Sequence, residues 1–164
     1  SDLPGFLRLI PMKADNLLDA RNTLTQRMQD KSLEFTVRVD LKGMREGVHA
    51  GIAMFEKADS GLQVVETDGK WQLSLFRGSE HVQGPEVINN ILLLRLSVRG
   101  DQVTYFYSLS DRGPFQQLGG TVPITFSWGA GARPSLFAYT TEAGPKAWVD
   151  FDWVHYRPLA SLAP

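Results

Sequence analysis

The side chains that could carry acid–base or metal chemistry are few and scattered. Three histidines, His49, His81 and His155, lie far apart in the sequence, and none belongs to an H-E-x-x-H or H-x-H pattern. We therefore interpret them as surface or turn residues. The chain has no cysteine, which excludes disulfides, thiolate zinc sites and cysteine nucleophiles. It also has no G-x-S-x-G nucleophile elbow and no glycine-rich phosphate loop with its lysine.

One pair of carboxylates could act together. Asp150 and Asp152 are two residues apart in a segment with strand character, so their side chains share one face. Such a pair could take part in glycoside hydrolysis, or could form the polar face of a strand whose Phe151 and Trp153 pack inward. Carboxylate oxygens together with a loop carbonyl also suit calcium. A structural calcium site at Asp150 and Asp152 is the functional hypothesis; no other cofactor is expected.

Aromatic side chains are the second chemical resource. The flat apolar face of a pyranose can pack on an indole or phenol ring while its hydroxyls bond to polar neighbours. Candidates are Trp71, Trp128, Tyr139, Trp148 and Trp153. Aromatics also fill sandwich interiors, and Trp153, which alternates with Phe151, is predicted to lie in the core. Trp128 lies in a glycine-rich segment and Trp148 opens the last strand, so both are candidates for exposed binding positions.

Alternation with period two predicts the elements that position these side chains. Apolar and polar residues alternate over 33–41, 91–99 and 102–109, as in half-buried antiparallel strands. The pairs Gly100-Asp101 and Asp68-Gly69 predict two-residue hairpin turns between strands. Shorter strands are predicted at 6–10, 23–27, 50–56, 62–67, 71–77, 115–118, 135–139 and 148–156.

The fold class follows from this pattern. Only residues 14–28 could form a helix, and their Asp, Asn and Thr content disfavours it. Many short strands with frequent turns predict an all-β chain, a two-sheet antiparallel β-sandwich that forms a single domain over residues 1–164. The 17 basic and 18 acidic side chains give a net charge of -1, which argues against a dedicated nucleic-acid partner. No apolar run is long enough for a membrane-spanning helix.

Several segments resemble a known family. They read P-G-F-L-R-L at 4–9, L-L-D-A-R-N-T-L-T-Q-R at 17–27, V-D-L-K-G-M-R-E-G-V-H-A-G-I-A at 39–53, V-T-Y-F-Y-S-L at 103–109 and W-V-D-F-D-W-V at 148–154. Together they resemble the C-terminal β-sandwich that follows the catalytic domain in family 43 glycoside hydrolases of the β-xylosidase and α-L-arabinofuranosidase type. The resemblance covers residues 4–156.

The resemblance implies a concanavalin-like jelly roll packed on a five-bladed propeller that carries the catalytic carboxylates. The chain is then expected to be a C-terminal fragment of a larger glycoside hydrolase. By itself it would be non-catalytic, and the propeller would be its partner. In this reading it is an accessory domain that helps to shape the substrate pocket. The alternative is an autonomous module that binds xylan or xylo-oligosaccharides.

The resemblance also implies a set of binding residues. In some family members a loop of the sandwich reaches the active site of the propeller, where an aromatic side chain closes the sugar pocket. Residues 128–133 correspond to that loop, which often contains F-T-G in the family; this stretch has no phenylalanine, and Trp128 is the best substitute for it. The expected carbohydrate-binding residues are Trp128, Arg133, Tyr139 and Trp148.

Overall fold

A computed structural model describes residues 5–56, 60–125, 131–142 and 146–160. These residues form fourteen strands and no helix. In chain order the strands are β1 (Leu7–Leu9), β2 (Met12–Lys13), β3 (Thr23–Thr25), β4 (Ser32–Asp40), β5 (Val48–Phe55), β6 (Ser60–Thr67), β7 (Lys70–Arg77), β8 (Glu80–Val87), β9 (Ile91–Arg99), β10 (Gln102–Ser108), β11 (Gln116–Gln117), β12 (Val122–Pro123), β13 (Arg133–Thr140) and β14 (Val149–Pro158). Within the described ranges, no helix is long and apolar enough to cross a membrane.

The strands form two seven-stranded sheets. Sheet A has the order β1-β14-β4-β9-β10-β11, with β12 also paired to β10. Sheet B has the order β2-β13-β5-β6-β7-β8, with β3 also paired to β13. The ladders are antiparallel except that of β2 and β13, which run parallel. The predicted all-β sandwich is confirmed, with this one parallel contact at an edge.

The main core lies between the sheets and follows the predicted alternation. Leu33, Val37 and Leu94 of sheet A and Ile52 and Leu62 of sheet B are fully buried in one cluster. Removing each such side chain from water contributes about 1.5–3 kcal/mol. The alternating residues therefore supply most of the attraction between the sheets.

One buried polar contact ties the two sheets together. The Tyr105 hydroxyl of β10 donates a hydrogen bond of 2.8 Å to the backbone oxygen of Ser60 in β6. It also lies 2.8 Å from the Ser60 hydroxyl. Tyr105 is fully buried, and a phenol placed there needs such a partner because an unsatisfied buried hydroxyl is costly.

Both predicted hairpin turns are present. Thr67 pairs with Lys70, and Asp68 and Gly69 between them have φ of 52° and 73°. Positive φ at both central residues is the type I′ geometry, whose twist matches that of the strands. Arg99 pairs with Gln102 across Gly100-Asp101, with Gly100 at φ 62°. Each of these two-residue turns therefore sets the register of the hairpin that it closes.

Residues 14–28 contain turns and the strand β3 but no helix, in agreement with the prediction that a helix is disfavoured there and with the strand predicted at 23–27. The structure differs from the sequence prediction at three strands that were not predicted, β2, β8 and β12. β8 was not predicted, because its sequence lacks alternation and contains Gly84-Pro85. β8 is the mostly exposed edge strand of sheet B, and an edge position tolerates a proline.

A β-bulge in β14 changes which side chains point towards the core. The register with β4 shifts by one residue between Phe151 and Val154. One extra residue exchanges the two faces of a strand. Phe151 is buried in the core, whereas Trp153 lies half-buried on the outer face of sheet A, stacked on His155 at 4.3 Å. The prediction that Trp153 packs in the core is therefore wrong.

The edge strand β1 is held to β14 by an ion pair as well as by backbone pairing. Arg8 Nε and Nη2 each donate a hydrogen bond of 2.8 Å to one oxygen of Asp150. The Asp150 side chain is only 7% exposed, and that of Arg8 is 26% exposed. This two-pronged geometry is the strong form of an arginine–carboxylate pair.

Replacing Arg8 tests this pair. Arg8→Met keeps the aliphatic stem but leaves the Asp150 carboxylate buried without its guanidinium. We expect a loss of about 1–3 kcal/mol in the free energy of unfolding, after allowing for the partial exposure of Arg8. Urea unfolding measures it. The matched control is Lys70→Met, which breaks the exposed pair with Glu86 and should change stability by less than about 0.5 kcal/mol. Equal effects of the two substitutions would contradict the role of the ion pair.

Candidate functional site

Sheet B is buried on its outer face as well as on its inner face. In β5, β6 and β13 almost every residue is buried or half-buried, whereas one face of an antiparallel sheet commonly meets water. A second apolar cluster covers this outer face. It consists of Ala14, Leu17, Ala53, Phe76, Phe137 and Tyr139. The segment from Ala14 to Ala20 therefore acts as a cover, and it packs on sheet B without regular secondary structure.

Two glycines allow a close approach of the backbone under this cluster, and one of them also makes room for Phe76. A Cβ on Gly61 would overlap the backbone oxygen of Ile52 and would lie 2.8 Å from Cζ of Phe76. A Cβ on Gly51 would overlap the backbone oxygen of Leu62. The strands tolerate only glycine at these positions. Phe76 and Phe137 are the cross-strand partners of Gly61 and Gly51, and their rings meet edge to face with centroids 6.0 Å apart.

A pocket of about 400 Å³ opens between the cover segment and the outer face of sheet B. We call it the sheet B pocket. Its walls include Asp15 and Leu17 of the cover segment, and Phe76 and Phe137 of the sheet. Its polar lining comes mainly from His49, Gln63, His81, Tyr139, Asn16 and Thr141. A volume of this size, with apolar walls and a few polar groups, is typical of small-ligand sites.

A row of hydrogen bonds runs across the floor of the sheet B pocket. His49 Nδ1 lies 3.2 Å from Gln63 Oε1. Gln63 Nε2 donates to the Ser74 hydroxyl at 3.4 Å and lies 3.5 Å from His81 Nδ1. These side chains come from the neighbouring strands β5, β6, β7 and β8, so the sheet register brings them together.

His49 and Tyr139 form the aromatic part of the site. They are directly paired across β5 and β13, and their rings stack at 4.7 Å with planes 8° apart. Burial lowers the pKa of His49; the hydrogen bond that His49 donates to Gln63 Oε1 opposes this shift, and the nearby His81 adds to it. Burial also raises the pKa of Tyr139. Both rings are therefore uncharged near neutral pH.

Of the three predicted carbohydrate-binding residues that the structure describes, one lines the sheet B pocket. Tyr139 does so, and it is largely buried. Arg133 begins β13, is half-buried and pairs with Phe55, outside the lining of this pocket. Trp128 lies outside the described residues. A sugar-binding role for these residues stays a prediction.

Trp148 has a structural environment. A Cβ on Gly43 would overlap its indole ring, so the ring packs directly on the glycine backbone. The Arg8 guanidinium lies over the ring, 4.9 Å from its centroid. The Trp148 backbone N–H also donates to the Gly43 oxygen at 3.0 Å. These contacts anchor the start of β14 beside β1, away from the lining of the sheet B pocket.

Each carboxylate of the predicted calcium site is paired with an arginine. Asp150 binds Arg8, and Asp152 accepts from Arg38 Nη1 at 3.1 Å. Arg38 also forms two hydrogen bonds with Asp111, which raise the pKa of Arg38 and lower that of Asp111. Guanidinium groups thus occupy the positions where a cation would need to bind.

The described residues do not favour a calcium site in other ways either. Among them, no three His, Cys, Asp or Glu side chains converge as a metal site requires. This arrangement does not fit calcium, although the hypothesis itself stays a prediction. Melting the protein with chelator and with added calcium tests it.

The sequence analysis missed the most connected polar residues of the sheet B pocket. His49, Gln63 and His81 are separated by 14 and 18 residues, and no motif links them. The available signal was the lack of polar alternation in β5, β6 and β13, which indicates a second buried face.

The lowered pKa of His49 predicts a pH effect on stability. Below its ordinary pKa of about 6.5, the unfolded chain takes up a proton at His49 more readily than the native state does. The free energy of unfolding should therefore fall as the pH is lowered through 6.5 towards the native pKa, and it should be fully retained above 6.5. In His49→Gln, the contribution of His49 to this dependence of the free energy of unfolding on pH should be absent. Tyr139→Phe, which keeps the imidazole and the ring stack, should retain it. Urea titrations across this range measure the slopes, and equal slopes in wild type and His49→Gln would contradict the prediction.

Comparison with known proteins identifies the family to which this fold belongs. The family described as "Beta xylosidase C-terminal Concanavalin A-like domain" matches residues 1–157. A β-xylosidase of Formosa agariphila is 30% identical over 140 residues, which is 84% of this chain and 23% of that protein. The chain thus spans about a quarter of the length of this relative.

Solved structures show the same fold. A bifunctional GH43-CE protein of Bacteroides eggerthii superimposes with a TM-score of 0.87 and 24% identity, covering 98% of this chain and 22% of that one. A xylan β-1,4-xylosidase of Bacillus halodurans gives a TM-score of 0.77 and 15% identity, covering 95% and 33%. With the family match over nearly the whole chain, the protein belongs to the C-terminal concanavalin A-like domains of family 43 glycoside hydrolases, the non-catalytic domain type that the sequence resemblance implied.

Proposed function

We propose that this chain is the accessory domain of a glycoside hydrolase of the β-xylosidase or α-L-arabinofuranosidase type. In this role it packs on the catalytic propeller of the same polypeptide and helps to shape the substrate pocket. The relatives support the proposal, because most of their length lies outside the part that matches this chain. The observation that carries it is an apolar surface along one edge of the sandwich.

This surface, which we call the N-terminal edge, comprises Leu7–Leu9 of β1, Met12–Lys13 of β2, Thr23–Thr25 of β3 and the connecting Ile10. β1 is the outer strand of sheet A, and β2 and β3 lie along β13 of sheet B. The chain crosses between the sheets at Ile10, so the strands lie on the same side of the sandwich. Its exposed apolar side chains are Leu7 (40%), Ile10 (54%), Met12 (44%) and Leu24 (46%).

Several neighbouring apolar side chains at one edge are typical of a surface that meets another protein surface. Isolated exposed apolar residues occur elsewhere, such as Ile88 at 84% exposure, and need no such explanation. Edge strands also present unpaired backbone N–H and C=O groups, and a second domain that covers them prevents pairing with other chains. The catalytic propeller is the occupant that fits, because the relatives carry a large further part in the same chain.

Charged substitutions at the N-terminal edge test the packing. We expect Ile10→Asp and Met12→Asp in the full-length enzyme to weaken domain docking by about 1.5–3 kcal/mol each, since each exposes apolar area and buries a charge. The catalytic domain should then melt earlier and lose kcat/KM on aryl β-xylosides and arabinofuranosides. Ile88→Asp is the matched control and should behave as wild type. The packing proposal fails if the edge variants cannot be distinguished from this control.

The contribution to the substrate pocket has its own test at Trp128. In the full-length enzyme, Trp128→Ala should lower kcat/KM about tenfold, equivalent to about 1.4 kcal/mol, through a higher KM or a lower kcat. The unfolding transition of the sandwich should be unchanged. Trp148→Phe is a useful comparison, because Trp148 packs on Gly43 and should affect stability more than turnover. Wild-type kinetics in Trp128→Ala would remove the pocket-shaping role and leave the packing role intact.

The alternative proposal is an autonomous module for xylan or xylo-oligosaccharides. The sheet B pocket favours it, because aromatic rings and uncharged polar groups meet there in a cavity of about 400 Å³. Sugar rings present apolar C–H faces and hydroxyls, which need those two kinds of surface. The two proposals use different parts of the molecule and do not exclude one another.

A further inference from the structure

The hydrogen bonds around Gln63 fix the protonation pattern of two histidines. The oxygen Gln63 Oε1 can only accept, so His49 Nδ1, 3.2 Å away, must donate to it. The amide nitrogen Gln63 Nε2 can only donate, so His81 Nδ1, 3.5 Å away, must accept. In neutral imidazoles this leaves His49 Nε2 as an acceptor and His81 Nε2–H as a donor.

Both histidines line the sheet B pocket. The row of His49, Gln63 and His81 therefore offers a ligand one hydrogen-bond acceptor and one donor. A hydroxyl group can satisfy either of them, because it both donates and accepts. A carboxylate could satisfy only the donor, since it has no proton to give to His49 Nε2 near neutral pH. The pattern therefore favours ligands that carry several hydroxyl groups.

The charge of the sheet B pocket points in the same direction. No lysine or arginine occurs among the described residues that line it, and Asp15 is the one carboxylate there. Burial lowers the pKa of His49, which keeps that side chain uncharged near neutral pH. An anionic ligand would find no countercharge and would approach Asp15. An uncharged ligand meets no such penalty.

The apolar part of the lining suits the carbon face of a ring. Phe76, Phe137 and Tyr139 rise from the sheet, and Leu17 of the cover segment lies in the same cluster. Phe137 and Tyr139 have centroids 6.1 Å apart, so they form a continuous aromatic surface beside the polar row. A ligand with one apolar face and a rim of hydroxyls could contact both parts at once.

We propose that the sheet B pocket is a binding site for an uncharged sugar ring, and that Gln63 is the positioning residue that sets its hydrogen-bonding pattern. The site discriminates against acidic sugars. The inference rests on the binding-module alternative under the proposed function, and it does not depend on packing against a catalytic domain.

Two pairs of probes test the selectivity by calorimetric titration of the 164-residue chain at neutral pH. Methyl β-xyloside and xylobiose are the uncharged probes of the xylan type. Methyl β-glucoside and methyl β-glucuronide differ only in a hydroxymethyl group or a carboxylate at one carbon, so they isolate the charge. We expect the glucuronide to bind at least tenfold more weakly than the glucoside.

Substitutions at Gln63 test the role of the row. Gln63→Met keeps the length of the side chain and removes its hydrogen bonds, and we expect it to weaken binding of the uncharged probes about tenfold. Gln83→Met is the matched control. Gln83 lies on the exposed edge strand β8 of the same sheet, outside the lining of the pocket, and its substitution should leave binding within about twofold. Urea unfolding of both variants checks that the fold is kept.

Heteronuclear NMR of the imidazole nitrogens gives a second readout that needs no ligand. In wild type, the His49 proton should be on Nδ1 and the His81 proton on Nε2. In Gln63→Met both rings should become mixtures of the two tautomers, while Gln83→Met should keep the wild-type pattern. A purely structural role of Gln63 would not produce this change in a folded variant.

The results of these experiments distinguish failure of the proposed site in the sheet B pocket from failure of the binding-module alternative. Tenfold losses in Gln63→Met and with the glucuronide support the proposal. If xylobiose binds and Gln63→Met binds it equally well, the site is wrong and the binding function lies elsewhere on the domain. If none of the uncharged probes binds more tightly than about 1 mM, both the site and the binding-module alternative fail, and domain packing is unaffected.

Discussion

Packing of aromatic rings on the glycine-lined outer face of sheet B is the interaction on which the candidate site depends. Gly51 and Gly61 leave space where any other residue would overlap neighbouring backbone oxygens. Phe76 and Phe137 occupy that face, and their edge-to-face contact adds about 0.5–1.5 kcal/mol to the gain from burial. The cover segment then packs on the rings through Leu17. Without the rings the cover would have no apolar surface to bind, and the sheet B pocket would lose its walls.

The outer faces of the two sheets have different chemistry. Sheet A carries arginine–carboxylate pairs, among them Arg8 with Asp150 and Arg38 with Asp111 and Asp152. The pair of Arg8 with Asp150 has the most buried carboxylate of these, whereas the more exposed pairs contribute less to stability on their own. Around the sheet B pocket, the outer face of sheet B instead carries aromatic rings and uncharged polar groups. The ionic face therefore holds the edge strand and the start of β14 in place, while the aromatic face leaves room for a ligand.

The proposed packing on a catalytic domain accounts for an N-terminal edge that is apolar and exposed. The relatives are several times longer than this chain, and a domain that packs on another part of the same polypeptide needs a surface that is stable only when covered. The proposed packing edge is formed by β1, β2 and β3, whereas the proposed ligand pocket is formed by β5 to β8, β13 and the cover segment. A domain with this arrangement could support a catalytic partner and hold a sugar at the same time.

Short-range periodicity and local backbone preferences are sufficient to predict the all-β sandwich, the alternating core strands β4, β9 and β10, and the hairpins at Asp68-Gly69 and Gly100-Asp101. The family resemblance also came from local segments. The position of Trp153 outside the core could not be predicted in this way, because a bulge shifts the register of β14 against β4 by one residue. The same holds for the row formed by His49, Gln63 and His81 and for the arginine partners of Asp150 and Asp152, since pairing between strands distant in sequence has no local signal.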